Sequence, residues 1–444
     1  MAQFYSPNRR TTQRRQITVT IDSLDAAGQG VTRSDGKAIF VAGLLPGEQA
    51  IIELVEEKSR FAKAKVVKRL TTSPSRVKPL CRYFNQCGGC QQQHIDIALQ
   101  RTSKANALQY LIARETGLQK EAQPVIFGEA YGYRRRARLG LQYQHKNQHL
   151  VMGFRQTQSN TLVDIKQCPV LHPDLDKLIQ PLSNCLNQLK IAAKLGHVEL
   201  IRADNCLIVL IRHLAAFPPS DKQQLKDFEQ QYSVSIWLAG DEDSLQPLSE
   251  NAVLPEYQVV EERLQFSPLN FIQVNGEINQ KMVAQALEWL ELSPHDRVLD
   301  LFCGMGNFTL PIARLAESVV GVEGVENLVK QAQNNAQRNS IANATFYNEN
   351  LEAQIHTQPW AAKGFNKVLL DPARAGAAGV MEHLVKLAPE KIVYVSCNPT
   401  TLARDSKVLL EAGYQLVQLR MLDMFPQTSH LESMALFIHG PNNR

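Results

Sequence analysis

Asp300-Leu301-Phe302-Cys303-Gly304-Met305-Gly306-Asn307-Phe308 decides how this chain is read. The apolar run Val298 to Phe302 is short and stops at two glycines, after which a helical pattern opens. A buried parallel strand that ends in a glycine turn lets the backbone curl beneath a ligand at the carboxyl edge of an α/β sheet. Glu323 closes the next apolar run, about twenty residues on, where a carboxylate can accept both ribose hydroxyls of an adenosine cofactor. Thr309 stands where the third glycine of a dinucleotide fingerprint would fall. That weakens pyrophosphate recognition and favours an S-adenosylmethionine pocket, with a nicotinamide enzyme as the alternative.

Outward from this stretch the chain alternates strand and helix. Ile278, Met282, Val283, Ala286, Leu287 and Leu290 mark an amphipathic helix, and Lys367 to Leu370 and Lys391 to Val395 read as further buried strands. The pattern predicts a doubly wound, Rossmann-like α/β domain. Three of its edges carry chemistry. Asp371-Pro372-Ala373-Arg374 follows one strand, although a surface turn explains Asp-Pro equally well. Cys397, in Val395-Ser396-Cys397-Asn398-Pro399, follows the next, with Pro399 suited to the first turn of a helix; a lone cysteine there would be read as a small core residue. Finally, Pro426-Gln427-Thr428-Ser429-His430-Leu431-Glu432 places an imidazole and a carboxylate before the last strand.

At 444 residues the chain is expected to hold two to four domains, and its 44% hydrophobic and 20% charged content suits a globular protein. Its net charge of +5 permits a polyanionic partner without requiring one. Arg9, Arg10, Arg14 and Arg15 make residues 1–15 read as a flexible basic arm rather than a secretory leader, and a cytoplasmic protein is expected. Eight cysteines in such a chain point to reduced thiols in metal or catalytic use. Residues 16–70 break into short strands separated by Gly and Pro turns, which predicts a small oligonucleotide-binding (OB-like) barrel, with Lys58, Arg60, Lys63, Lys65 and Lys68 as a basic edge. This segment resembles a TRAM domain, a small RNA-binding barrel.

Cys81, Cys87 and Cys90, with Cys168 as a distant fourth, can close one thiolate shell for a [4Fe–4S] cluster or for zinc. Tyr131, Tyr133, Arg134, Arg135, Arg136 and Arg138 form the richest basic and aromatic patch. Alternation along a strand would put Arg134, Arg136 and Arg138 on one face, able to track phosphates, unless this is only a solvated strand face. Cys185 and Cys206 read as core cysteines, and Asp241 to Glu256 as a linker.

Taken together, the glycine turn, Asp371-Pro372, the Cys-Asn-Pro element and His430-Leu431-Glu432 resemble the RNA uracil-C5 methyltransferases over the whole chain. The barrel and the four cysteines resemble the branch acting on 23S ribosomal RNA rather than on tRNA. That resemblance implies Cys397 as nucleophile and Glu432 as base, with Gln273, Phe302, Asn307, Glu323, Asn350 and Asp371 around S-adenosylmethionine. It also implies Cys81, Cys87, Cys90 and Cys168 as ligands of a [4Fe–4S] cluster, favoured over zinc on this ground. The implied division is a TRAM barrel at 16–70, a central α+β iron–sulfur domain at 71–268 and a methyltransferase domain at 269–444, working as a monomer on a flipped uridine. The tRNA enzyme and a non-catalytic RNA-binding relic are the competing readings, and the intact Cys397 and Glu432 argue against the relic.

Overall fold

The computed structural model describes residues 15–240, 244–351 and 355–440. Arg9, Arg10, Arg14 and most of the basic arm lie outside the described residues, as does the start of the linker passage. Among the described residues, no helix is long and apolar enough to cross a membrane.

The first sheet has six strands in the order Gln16–Thr20, Gln49–Glu57, Phe61–Arg69, Lys37–Val41, Gly30–Ser34, Ser23–Leu24. Alternate residues of these strands, among them Ile39, Val41, Ala50, Ile52, Ala62 and Ala64, meet in a small core. Glu48 ties this unit to the segment just after its last strand: its buried carboxylate accepts from Leu45 N, Ser73 N and the Arg76 guanidinium.

A second sheet of seven strands spans residues 136–247, all antiparallel except the parallel pair Leu207–His213 and Val234–Ala239. The amphipathic helices Pro173–Gln188 and Pro219–Tyr232 cover one face, where Leu175, Leu182 and Leu225 meet Leu200, Val209 and Ile236. The opposite face, through Ile208, Leu210 and Trp237, shares a core with Tyr257, Phe266 and the helix Gly276–Leu290. Cys185 packs at the margin of the first core and Cys206 at the margin of the second.

The third sheet has eight strands in the order Ala344–Asn348, Ser318–Glu323, Arg297–Leu301, Lys367–Leu370, Lys391–Ser396, Glu432–His439, Tyr414–Leu422, Gln123–Ile126. Its first five strands are parallel; the four inner ones are largely apolar, as burial on both faces demands, whereas the edge strand Ala344–Asn348 buries only Phe346. Strand order runs outward in both directions from Arg297–Leu301, so the switch point where such sheets bind ligands lies beside Phe302. Glu432–His439 runs antiparallel to both of its neighbours. Gln123–Ile126 joins the far edge, and helix Ile97–Thr116 packs on helix Pro399–Glu411, so residues 97–126 belong structurally with this sheet and not with the seven-stranded one. Four residues that include Pro124 carry too little periodicity to announce an edge strand.

Candidate active site

The strand Arg297–Leu301 hands the chain to a turn in which Phe302 has φ +63°, Gly304 +54° and Gly306 +100°. At Gly306 a Cβ would sit 3.0 Å from Leu310 Cγ, so the tight turn needs glycine both for its angle and for its space. Glu323 fixes the turn: its two carboxylate oxygens accept from Gly304 N at 3.2 Å and Val325 N at 3.0 Å. Asn307 is held by Tyr257 and by a reciprocal amide pair with Asn279.

These residues open onto a cavity of about 490 Å³, lined also by Gln273, Phe302, Asp371, Arg374, Cys397, His430 and Glu432. Both residues expected to act in catalysis, and all those expected around the methyl donor but one, line this single cavity. The exception is Asn350, which follows the strand Ala344–Asn348 and is absent from the lining. The wall also includes Tyr257, Phe271 and Phe425, which no sequence signal marked; isolated aromatic residues read as core.

Cys397 leaves the end of Lys391–Ser396, and Asn398 caps the next helix by accepting from Thr400 N. The same Asn398 side chain donates to Arg374 O at 3.0 Å, which holds the thiol loop against the Asp371 loop. Burial, then the nearby Glu432 and Asp371, push the Cys397 thiol up to about 11. Burial raises Asp371 to about 7, and burial with the Asp371 charge holds Glu432 well above the carboxylate range. Three acids gathered in one recess thus disfavour one another's ionisation, the pattern by which sites tune proton transfer.

Cys81, Cys87, Cys90 and Cys168 come from two stretches joined where Lys166 N donates to the Tyr83 hydroxyl, and Gly88 N donates to Arg155 O on the neighbouring strand. Burial raises all four thiols, Cys90 to about 11 and Cys168 to about 12; Cys81 raises the other three and Cys90 raises Cys168. A Cβ at Gly88 would lie 3.1 Å from Arg155 O, so the loop depends on the close approach that glycine allows. Among the described residues, no group of three or more His, Cys, Asp or Glu side chains is placed to hold a metal ion. A metal centre is therefore not shown.

The patch at 131–138 departs from the expected face of three cations on one strand: the strand begins only at Arg136, and Arg136 is partnered within the protein. Tyr133 is buried and donates to Pro426 O. Arg135, 6% exposed, donates to Gln273 O and lies over the Tyr257 ring, 4.8 Å from its centroid. Arg136 pairs with Glu199 and donates to Pro268 O and Asn270 O. Arg138 is exposed and bonded to His197, and the half-buried Arg134 guanidinium lies 6.0 Å from the centroids of the Tyr133 and Phe425 rings. Arg135 and Arg136 fasten the segment 268–275 that delivers Phe271 and Gln273 to the cavity, because the chain folds back over part of the face that alternation would leave in water.

Fold and cavity together define a Rossmann-like methyltransferase. The chain belongs to the tRNA (uracil-5-)-methyltransferase family, whose model matches residues 97–439, and a TRAM domain model matches residues 10–67. It is 65% identical, over 98% of its length and 100% of the relative's, to a Photorhabdus laumondii protein named 23S rRNA (uracil(1939)-C(5))-methyltransferase RlmD. A Pectobacterium carotovorum protein of the same name is 58% identical over 100% of both chains. In fold it matches the crystal structure of Pyrococcus abyssi tRNA (uracil-54, C5)-methyltransferase in complex with S-adenosyl-L-homocysteine. The TM-score is 0.72 at 24% identity, over 95% of this chain and 100% of that one.

Proposed function

We propose that the protein methylates C5 of a uridine in 23S ribosomal RNA, using S-adenosylmethionine and a transient bond between Cys397 and the uracil. The observation that carries this reading is the convergence of Cys397, Asp371 and Glu432 on the cavity under the glycine turn. The names of the relatives supply the RNA class.

Uracil C5 is too weak a nucleophile to take a methyl group unaided. Cys397 as thiolate adds to C6 and turns the ring into an enolate with carbanion character at C5. S-adenosylmethionine, when bound in this cavity, would supply the methyl group to that carbon and leave as a neutral thioether, and its sulfonium charge before transfer would favour ionised carboxyls in the recess. A Glu432 that gave up its proton before the transfer is then the base that takes the proton from C5. The Cys397–C6 bond then breaks, the ring regains its double bond, and the thiolate is restored. Gln273, Phe302, Asn307, Glu323 and Asp371 line the cavity that would hold the donor, while Asn350, expected beside it, is not part of the lining. Since the target base must reach a recessed thiol, it is flipped out of its stack.

A [4Fe–4S] cluster would be held by Cys81, Cys87, Cys90 and Cys168. The support is the donor chemistry alone, four cysteine thiols with a close-packed glycine between two of them, since among the described residues no three such side chains stand close enough to hold a metal ion. No step of the reaction runs through it. Anaerobically purified protein is expected to be brown, with about four irons and four sulfides per chain; zinc without sulfide would sink the cluster.

Labelled S-adenosylmethionine is offered with stripped 23S RNA or with bulk tRNA, and only the former should take label. In Glu432→Gln, methylated RNA should stay bonded to protein through denaturing electrophoresis, and Cys397→Ala should abolish both adduct and turnover. Label entering tRNA instead, or normal turnover by Cys397→Ala, overturns the proposal.

A further inference from the structure

The loop between strands Tyr414–Leu422 and Glu432–His439 supplies Phe425 and His430 to the cavity and delivers Glu432 at its end. Its outer side is fastened by residues more than 280 positions earlier in the chain. Lys104 and Asp423, each 1% exposed, form an ion pair at 3.3 Å, and Lys104 also donates to Phe425 O. Arg101 adds a second bond to Asp423, and the Tyr133 hydroxyl donates to Pro426 O.

At the centre lies an amide clasp. Gln100 Nε2 donates to Gln427 Oε1 at 3.0 Å, while Gln100 Oε1 accepts from Gln427 N at 3.1 Å. Both side chains are buried, Gln100 1% and Gln427 3% exposed. Gln427 O accepts from Gln91 N and Gln92 N, one and two residues after Cys90, and Gln91 Oε1 accepts from Ser429 N. Gln427 also has φ +68°, a left-handed backbone that a non-glycine residue adopts at a cost. A turn that needed only this angle would be better served by glycine. A buried glutamine kept there, with its side-chain oxygen and its backbone N–H both met by the Gln100 amide, indicates that the side chain is what the site requires.

We infer that Gln100 and Gln427 are positioning residues for the base: their clasp ties the cysteine-bearing segment and helix Ile97–Thr116 to the loop that aims Glu432 at its proton. The inference rests on the proposed role of Glu432. Removing the clasp leaves the glycine turn and Glu323 untouched, so donor binding should persist while proton removal slows.

The test uses the full chain with 23S RNA and compares Gln100→Met, Gln427→Gly and Glu432→Gln. Gln427→Gly keeps the backbone conformation and so guards against a simple folding failure. Both clasp variants should lose about 10- to 100-fold in kcat, the cost of misplacing a reacting group by about an ångström. KM for S-adenosylmethionine should stay within about twofold. Each should also accumulate the methylated RNA–protein adduct, because elimination is the step that needs the base. If Glu432→Gln traps adduct and the clasp variants do not, the inference is wrong and the mechanism stands. If Glu432→Gln traps none, the mechanism fails and takes the inference with it. Normal kcat in Gln427→Gly overturns the clasp alone.

Discussion

Two clusters of ionisable side chains in this molecule are built in opposite ways. Around residues 134–138 the buried cations find partners: Arg136 has Glu199 and two carbonyls, and Arg135 has a carbonyl and an aromatic face. In the cavity, Asp371 and Glu432 make no ion pair among the described residues, and each keeps its proton longer because of the enclosure. Partnered charges hold a fold together, whereas acids crowded without counter-ions destabilise it and wait for a ligand to bring the missing charge.

The largest effect should come from breaking the partnered side. Arg136→Ala leaves Glu199 and two backbone carbonyls without their donor, a loss of about 3 kcal/mol for a pair this enclosed. Arg138→Ala, at an exposed site, should be near neutral. Urea denaturation measures both. A stable Arg136→Ala whose RNA binding loses part of its salt dependence would return these arginines to the RNA.

On the other side, removing an acid should stabilise. Glu432 has a folded-state pKa raised above its unfolded value, so it weighs against folding at neutral pH and the penalty vanishes as pH falls toward 4.5. Glu432→Gln should therefore raise Tm by a few degrees at pH 8 and hardly at all at pH 4. Asp371→Asn removes one of the charges that hold the thiol near 11, so Cys397 should be alkylated severalfold faster at pH 8. Burial is the larger cause, so the thiol should not return fully to its ordinary value of 9.0. Equal Tm gains at both pH values, or an unchanged alkylation rate, would show that the cavity acids are not coupled as described.

Much of this was legible in the sequence because a doubly wound sheet makes position informative. Asp371 and Cys397 each follow a buried strand, and carboxyl ends of parallel strands share one edge, so stretches more than sixty residues from the glycine turn could be placed together. The same rule brought Glu323 to the cavity, whereas Glu432 reaches that edge as the first residue of the antiparallel strand Glu432–His439. It says nothing about Tyr257, Phe271 or Phe425, which arrive on connections whose paths depend on tertiary packing. Nor could alternation at 134–138 show that residues 268–275 would fold over that strand, or that Lys104 would find Asp423. A cation's role is set by what comes to lie against it, and here the partners are 63 to 319 positions away.

The smallest effect tests the same contrast on the first sheet. Lys63 and Lys58 both reach Glu56, and Lys65 reaches Glu53, so part of each charge is already spent within the protein. Lys68 is exposed on the same strand and makes no ion pair among the described residues. If this edge lies along RNA, an unpaired lysine should displace nearly one counterion and a shared one distinctly less. Lys68→Ala should then reduce the slope of log K against log salt by nearly one, and Lys63→Ala by about half as much. The change in affinity at fixed salt would be small for either, which is why the slope is the quantity to measure. Slopes equal to that of the unaltered protein would remove the barrel from the RNA. A larger change for Lys63 than for Lys68 would mean that its pairing with Glu56 gives way to phosphate, and that partnered charges on this sheet, unlike those around Arg136, are held in reserve for the ligand.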